Sequence, residues 1–400
     1  MIWELIRSNQ RKSVALFFFL GLLIVTMGFV FGVILDPRGD PTIIIFVSLI
    51  IWLAYSALAY FGGPDWLLRV SAARQVTADT DRRLFNVVEE MKIAAGLPTM
   101  PKIYIMNEDA MNALAVGRNP ENSSIVVTSG LLSRLDRDEL QGVVAHELSH
   151  IINRDALFMT FAGAALGSVA LLSNLFWRSL GFARFKSKSS RDASGIVVFW
   201  ILALALAAVG VVLAQIFYFA IARKREYLAD ASAARLTRYP QGLASALEKI
   251  DDSAEVLVHF NDITAPMFIA NPVHGKRFEY LIMNTHPPIK DRIKILRRLS
   301  GASYKDYQLA YSSVMRKRLI SNRILNAERE MPLRQPLSPA PAESRIDIKR
   351  SIGDTLLAAD DFIFLNCACG LKIKVPPQLD IRTIDCPRCG HRFAGSLKAT

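Results

Sequence analysis

The chain has 400 residues, of which 52% are apolar and 21% charged, and its formal net charge is +12 at pH 7. This apolar content is higher than a soluble protein of this length normally carries, which excludes an ordinary soluble enzyme. The positive charge raises nucleic acid as a partner, but no recognised nucleic-acid module is present. Because many basic residues flank apolar blocks, we expect no nucleic acid partner and expect contact with anionic lipid instead.

Two apolar blocks near the N-terminus, residues 13–35 and 42–61, are almost free of charge. Each is long enough to cross a hydrocarbon core of about 30 Å at about 1.5 Å per residue. The first block is too long for a cleaved signal peptide, whose apolar core has about 7–15 residues. Basic residues precede the first block and follow the second, which places both of these ends in the cytoplasm. We therefore predict a membrane anchor of two transmembrane helices over residues 1–62.

Residues 63–155 are predicted to form the first half of a folded domain. Residues 84–95 have helical periodicity and end at a glycine, whereas the β-branched runs 102–106 and 124–128 are typical of strands. Asn112 and Ala113 begin a segment that we expect at the edge of the sheet, where it could pair with an extended peptide. The alternative is an ordinary buried strand with Asn112 in a turn.

The most informative stretch is His146-Glu147-Leu148-Ser149-His150, which follows an apolar run and is predicted to lie on a buried helix that begins near Arg137. Histidines four residues apart lie on one face of a helix, so both rings can bind one zinc ion at about 2.0–2.1 Å. Glu147 would lie beside the ion, take a proton from its water and pass that proton to a leaving amine. The pattern predicts hydrolysis of a peptide bond. A pair of satisfied core histidines is the alternative.

Two more apolar blocks, residues 156–177 and 196–222, follow this motif. We predict that residues 156–222 form a transmembrane hairpin, with a buried soluble hairpin as the alternative. The loop between the blocks, residues 178–193, is basic, which conflicts with an outer location because basic loops tend to stay in the cytoplasm. The two ends of the hairpin must nevertheless lie on one side of the membrane, since residues flanking it are predicted to bind one ion.

Residues 223–326 are predicted to form the second half of the domain. Glu226 would complete a three-ligand zinc site whose fourth position is open, as a catalytic site requires. Asp230, one helical turn later, could accept a hydrogen bond from the other ring nitrogen of a ligand histidine. Surface charges on an amphipathic helix are the alternative for both. His286, followed by two prolines, is a candidate oxyanion donor or a capping residue of the next helix.

The last part of the chain is predicted to be a linker over residues 327–360 and a zinc-ribbon-like module over residues 361–400. The linker is rich in proline and has little apolar periodicity. The chain's four cysteines form two pairs, separated by sixteen residues, as a tetrahedral structural zinc site needs: Cys367, Cys369, Cys386 and Cys389. Disulfides are the alternative, disfavoured in a reducing cytoplasm. The partner of the module is not predicted.

The chain resembles the HtpX-type integral-membrane zinc metallopeptidases, which are gluzincins related to the CAAX prenyl proteases. The resemblance spans about residues 1–300 and rests on the zinc motif, Glu226 and four more segments: 101–105, 112–118, 128–132 and 285–288. Leu114 stands where the family's N-A-F-A motif has an aromatic residue. The resemblance implies that residues 112–116 lie along the substrate cleft. It also implies a task, the cleavage of damaged or misassembled membrane proteins at the cytoplasmic face of a bacterial inner membrane.

Together these features predict an α+β, mainly helical fold in a multi-pass membrane protein, with a gluzincin-type protease domain interrupted by a transmembrane hairpin. The predicted activity is that of a zinc endopeptidase acting on proteins or peptides, with one catalytic and one structural zinc ion. A CAAX-prenyl-protease-like processing enzyme is one alternative, against which the small number of apolar spans counts. A non-catalytic membrane scaffold is another, against which the presence of Glu147 and all three ligands counts.

Overall fold

The computed structural model describes residues 42–155, 222–253, 286–326, 328–337, 345–379 and 384–393, parts of 11–29, and the short pieces Asp40, Glu255, Leu257 and 268–270. The predicted transmembrane hairpin, except for its last residue, and the basic loop 178–193 lie outside the described residues. The described part is mainly helical and contains a four-stranded and a two-stranded sheet. The predicted α+β, mainly helical class is therefore confirmed.

Helix α1 (Thr42–Val70) contains the predicted second span. Among the described residues, its segment Thr42–Gly63 is the one helix that is long and apolar enough to cross a membrane. Its large apolar side chains are exposed, for example Ile43 at 72% and Leu58 at 70%. Exposed apolar surface of this extent is typical of a site that contacts a membrane or another protein. The described residues of the first predicted span include a shorter apolar helix, Phe17–Thr26.

A mixed four-stranded sheet follows α1. Its strands are β1 (Arg74–Val76), β2 (Lys102–Met106), β3 (Ala113–Asn119) and β4 (Asn122–Thr128). Helix α2 (Arg82–Ala95) lies between β1 and β2 in the chain. The strand order is β1-β2-β4-β3, in which β2 and β4 are parallel and the other pairs antiparallel. Both predicted strands are confirmed, although β4 begins two residues earlier than expected. Strand β3 lies at the edge of the sheet, as predicted for residues 112–116.

Successive side chains of a strand point to opposite faces of the sheet. Both faces of this sheet are buried, each against a different apolar cluster. Ile103 and Ile125 belong to the main apolar core of the domain. Leu114 and Val126 belong to a second cluster that includes Leu67, near the end of α1. Helix α1 is thus packed, near its C-terminal end, directly against the sheet that borders the predicted active site.

Helices α3 (Ser129–Arg134) and α4 (Arg137–Ile152) follow β4, and α4 carries the zinc motif. A capping box fixes the start of α4, since Asp136 and Glu139 each accept a hydrogen bond from the other's backbone amide. Gly142 in the middle of α4 permits close packing of a later helix that contains Leu243. A Cβ atom at this position would lie 2.6 Å from the backbone nitrogen of Leu243.

The second half of the domain contains helices α5 (residues 222–237), α6 (Pro240–Asp251), α7 (Ile289–Arg297), α8 (Tyr304–Met315) and α9 (Asn322–Leu325). Helices α5 and α8 are antiparallel neighbours. At the start of α8, the hydroxyl of Tyr304 is 3.0 Å from that of Ser232, late in α5. Farther along α8, the ring of Tyr311 packs against that of Tyr227, early in α5, with centroids 5.0 Å apart.

The range predicted as a linker, 327–360, is only partly without regular structure. It contains helix α10 (Arg345–Ala359), and strands β5 (Ile363–Asn366) and β6 (Lys372–Val375) follow it. Ile352 of α10 is 7% exposed and belongs to the main core. Before α10, Arg334 donates hydrogen bonds to Asp138 and Gln141 of α4, at 2.6 and 2.8 Å. The linker prediction is therefore wrong for these segments, because tertiary contacts that composition does not reveal hold them to α4 and to the main core.

Candidate metal centre

Three side chains from α4 and α5, of which two are buried and that of His150 is partly buried, converge on one point. The Nε2 atoms of His146 and His150 are 3.2 Å apart. The Oε2 and Oε1 atoms of Glu226 lie 3.6 and 3.4 Å from these two nitrogens respectively. Ligand atoms about 2.0–2.1 Å from one tetrahedral ion would be about 3.3 Å from one another. The observed triangle therefore fits a zinc ion with three protein ligands.

Two buried aspartates fix the orientation of the ligand histidines. Asp230 Oδ1 lies 3.0 Å from Nδ1 of His146, and Asp155 Oδ2 lies 3.2 Å from Nδ1 of His150. Nδ1 of His150 forms a hydrogen bond with its carboxylate, and Nδ1 of His146 lies within ion-pair distance of its own, so Nε2 of both rings faces the shared metal position. The contact of Asp230 is the one expected from the sequence. The contact of Asp155 was missed, although this residue lies only five positions after His150.

Glu147 lies next to this triangle but is not part of it. Its side chain is 1% exposed, and neither carboxylate oxygen has a hydrogen-bond partner among the residues that the structure describes. Burial raises the pKa of Glu147 above its ordinary value, and the nearby histidines only partly offset this effect. A buried carboxylate with a raised pKa and no protein partner is suited to accept a proton from a water molecule.

The charges around the triangle shift the pKa values of the two histidines and of Glu226 in opposite directions. Burial alone would lower the pKa values of His146 and His150, but the carboxylates hydrogen-bonded to them outweigh burial and raise both. Burial alone would raise the pKa of Glu226, but the three surrounding histidines outweigh it and hold that pKa well below its ordinary value. The carboxylate ligand is thus ionised without help from the metal, whereas protons compete with the metal for the histidines.

Arg292 of α7 is a second residue that sequence reasoning missed. It is 1% exposed, and its Nε and Nη2 atoms donate to the two carboxylate oxygens of Asp230 at 2.9 and 2.8 Å. Its Nη1 atom also lies 3.3 Å from Oε2 of Glu226. This guanidinium neutralises the carboxylate that holds His146, and so links α7 to the metal centre. Its position six residues after His286 is the only sequence signal that could have suggested it.

His286 lies beside the metal centre, with Nδ1 3.5 Å from Oε2 of Glu226 and 5% of its surface exposed. Helix α7 begins at Ile289 with Pro288 as its N-cap, and no side chain caps it. The N-cap position of α7 therefore belongs to Pro288 and not to His286. The structure brings this histidine together with the ligands, as the oxyanion hypothesis requires.

Asn112 and Ala113, the predicted substrate-binding residues, lie at the outer edge of β3, where the short segment 268–270 contacts them. The side-chain nitrogen of Asn112 donates to the carbonyl oxygen of Ala270 at 3.1 Å. The amide of Ile269 donates to the carbonyl oxygen of Ala113 at 2.9 Å. In this structure, part of the edge expected to bind an extended peptide is thus occupied by the chain itself.

The four cysteines form a second cluster, away from residues 78–300. The sulfur of Cys367 is 3.4 Å from that of Cys389, and the sulfur of Cys369 is 3.6 Å from that of Cys386. All four are free thiols, so the disulfide alternative is not found here. Sulfur atoms about 2.3 Å from one tetrahedral zinc ion would be about 3.8 Å apart, which this cluster approaches. The four donors could therefore hold one ion.

Comparison with known proteins gives the family. The sequence profile of Peptidase family M48 matches residues 78–300, which contain all three ligand residues of the triangle. Proteins named "Protease HtpX homolog" are similar over most of the chain. The one from Dictyoglomus thermophilum is 39% identical over 297 residues, which are 74% of this chain and 94% of the relative.

The chain belongs to peptidase family M48. The HtpX homologue of Caldanaerobacter subterraneus is 39% identical over 75% of this chain and 98% of its own. The HtpX homologue of Streptococcus pneumoniae R6 is 36% identical over 75% of this chain and 100% of its own. The crystal structure of S. mikatae Ste24p has 20% identity and a TM-score of 0.38, covering 72% of this chain and 65% of that one. This score is too low to support a structural argument.

This M48 peptidase is a membrane-associated zinc metalloprotease, as the zinc motif and the resemblance predicted. The cysteine cluster lies beyond the residues that the family profile matches. The protease assignment therefore depends on residues 78–300 and not on the C-terminal module.

Proposed function

We propose that the chain is a membrane-embedded endopeptidase that binds one catalytic zinc ion through His146, His150 and Glu226. Glu147 is its general base and acid. Its substrates are damaged or misassembled membrane proteins, cleaved at the cytoplasmic face of a bacterial inner membrane. The proposal is supported most directly by the triangle of ligand atoms, whose edges of 3.2 to 3.6 Å suit a tetrahedral ion.

Bound zinc would lower the pKa of a water ligand to about 7 and polarise the scissile carbonyl. Side chains of this chain transfer the proton, orient the histidines and stabilise the developing negative charge. An oxygen of Glu147 accepts the proton of the attacking water and later delivers it to the leaving amine. Asp230 and Asp155 keep both ligand histidines in the tautomer whose Nε2 faces the metal. His286, beside Glu226, is placed to donate to the carbonyl oxygen as negative charge develops on it.

The test of the base is Glu147→Gln in purified full-length protein, reconstituted in lipid with a model membrane-protein substrate. The variant should keep its catalytic zinc and lose about 10²–10⁴-fold in turnover. Glu139→Gln is the matched control, because it makes the same change on the same helix and glutamine also serves in a capping box. Glu147→Gln with wild-type turnover would contradict the assignment. His146→Ala should lose zinc as well as activity.

The same assay distinguishes the other candidate functions. Removal of a C-terminal tripeptide from a prenylated peptide, without internal cleavage of the membrane substrate, would favour a prenyl-protease-like enzyme. Normal zinc content with no hydrolysis of either substrate would favour a scaffold. Internal cleavage that depends on Glu147 supports the endopeptidase.

The proposed topology places the zinc helix in the cytoplasm and both arms of the hairpin across the membrane. It is supported by a contact between the hairpin ends, since Nε of Arg225 lies 3.4 Å from Oδ1 of Asp155. In intact cells, Ser189→Cys in the predicted loop should react with an impermeant thiol reagent. Ser300→Cys, at an exposed position of the protease domain, should react only after lysis. Labelling of Ser189→Cys only after lysis would mean that the hairpin does not span.

The four cysteines are proposed to hold a second, structural zinc ion that stabilises the ribbon-like module. Burial raises the pKa of Cys386, but the backbone amides of Arg388 and Cys389 outweigh burial and lower this pKa to about 6, whereas the neighbouring thiols raise the pKa of Cys389 to about 12. The thiolate that binds metal therefore forms first at Cys386. The full-length protein should contain two zinc ions, and a Cys386→Ser, Cys389→Ser variant only one. Equal zinc content in both proteins would contradict a zinc ribbon.

A further inference from the structure

Three parts of the chain that are distant in sequence bring exposed basic residues to the base of the hairpin. Asp155 precedes the predicted hairpin and Arg225 follows it, and they are joined both by their ion pair and by a 3.3 Å hydrogen bond from Nη1 of Arg225 to the carbonyl oxygen of Asp155. Arg154, which precedes Asp155, and Lys224, which precedes Arg225, are both exposed. The point where the chain leaves the protease domain for the hairpin, and returns from it, is therefore flanked by two cations.

The turn after α8 reaches the same place. The hydroxyl of Tyr227 lies 3.7 Å from the sulfur of Met315, the last residue of α8. Because Tyr227 lies early in α5, this contact places the C-terminal end of α8, and the residues of the turn that follows it, near the start of α5. These residues are Arg316, Lys317 and Arg318, and all three are exposed.

The turn is built to project outward. Arg316 adopts a left-handed conformation with φ of 52°, which a non-glycine residue rarely does. Immediately after the three basic residues, the amides of Leu319 and Ile320 donate to Oε1 of Gln308 at 3.0 and 2.7 Å, and both side chains are buried. The chain is thus fixed on both sides of a short exposed tip.

We name the five exposed residues Arg154, Lys224, Arg316, Lys317 and Arg318 the basic collar. Among the residues that the structure describes, no carboxylate pairs with any of them, whereas the exposed Arg297 pairs with Glu248 and Arg392 with Asp385. Five unpaired cations around one point repel one another and favour a shared anionic partner. The two of them that flank the hairpin must face the headgroups if the hairpin enters a bilayer.

We infer that the basic collar binds the anionic phospholipid headgroups around the hairpin, and so fixes the height and tilt of the protease domain over the membrane. This inference rests on the proposed insertion of the hairpin, but not on proteolysis. A basic residue at an anionic surface strengthens binding about fivefold, or ~1 kcal/mol. The three residues of the turn together should then strengthen it by roughly 100-fold.

The test is hydrogen exchange of the full-length protein in nanodiscs, followed by mass spectrometry on peptides covering residues 312–321. Glu147→Gln serves as the common background, which prevents self-digestion. Exchange should slow when phosphatidylglycerol is added to phosphatidylcholine. The effect should vanish at about 1 M salt, where the Debye length falls to about 3 Å. The variant R316Q/K317Q/R318Q should lose the lipid dependence, and unchanged exchange in α4 would show that it is folded.

The matched control is R82Q/K294Q/K305Q, which removes the same charge from exposed positions outside the collar. It should keep the lipid dependence. Equal exchange in both lipids, or equal lipid dependence in both triple variants, would overturn the inference. Protection by inorganic phosphate in neutral nanodiscs would also overturn it, because the turn would then bind small anions rather than a membrane. Labelling of Ser189→Cys from outside tests hairpin insertion separately, so the two failures can be distinguished.

Discussion

Arg292→Met tests how the buried charges around the metal centre are balanced. The wild-type guanidinium is 1% exposed and holds both oxygens of Asp230 at 2.9 and 2.8 Å. It also donates to the carbonyl oxygen of Ile269 at 2.8 Å. Methionine keeps most of the volume but leaves the Asp230 carboxylate buried with only His146 as its partner. Removing one member of a buried ion pair costs about 3–5 kcal/mol, because the other charge stays uncompensated.

For a domain of about 150–250 residues, 1 kcal/mol corresponds to a change in Tm of about 2–4 °C, so Arg292→Met should lower Tm by about 6–20 °C. Thermal unfolding in detergent, followed by tryptophan fluorescence, measures the change. Arg297→Met is the control, since its ion pair with Glu248 is exposed and should contribute less than about 1 kcal/mol.

A second variant isolates the charge from the packing. Arg292→Met combined with Asp230→Asn removes both charges, and the double variant should be more stable than the sum of the single effects predicts. A coupling of about 0.5–3 kcal/mol is expected for groups in contact. If Arg292→Met unfolds within about 4 °C of the wild type, as the exposed control should, then Arg292 does not compensate a buried charge and this reasoning is refuted.

Three other predictions follow from the same contacts. Asp155→Asn should weaken zinc binding by about 10–100-fold in a chelator competition, because it removes the acceptor that orients His150; affinity equal to the wild type would contradict this. Zinc affinity should fall with decreasing pH from above the ordinary histidine range, because the ligand histidines have raised pKa values and only the neutral ring binds metal; a constant affinity down to pH of about 6.5 would show otherwise. Deleting residues 361–400 should leave peptide cleavage intact, whereas deleting residues 331–400 should lower Tm, because only the longer deletion removes Arg334 and Ile352; equal Tm values would argue against a structural role for these contacts.

The parts of the site that sequence could predict are those governed by short-range geometry. The four-residue spacing of His146 and His150 places both rings on one face of any helix. Glu226 and Asp230 are also four residues apart, so their carboxylates share one face of the second helix. The capping residues of α4 and the glycine that ends α2 are equally local signals. These predictions need no knowledge of how the helices pack.

The residues that were missed depend on packing. Arg292 reaches Asp230 across 62 positions, and apart from its position after His286 nothing nearby in the sequence distinguishes it from the exposed Arg297 of α7. The segment around Arg334 has the composition of a linker, yet its hydrogen bonds reach α4 across 196 positions. Composition indicates the conformation that a segment prefers in isolation. The conformation of these segments is instead fixed by contacts with residues distant in the sequence.

The tie between Asp155 and Arg225 has a consequence for the newborn protein. These residues are 70 positions apart, and each is next to, or holds, a ligand of the catalytic ion. At about 5–20 residues per second, a ribosome needs roughly 4–14 s to make the intervening chain. Until that chain has been made and closed on itself, the histidines lack their third ligand. A growing chain that has only the two histidines therefore lacks the complete set of proposed zinc ligands, and proteolytic activity is expected only after residues 156–226 have been made.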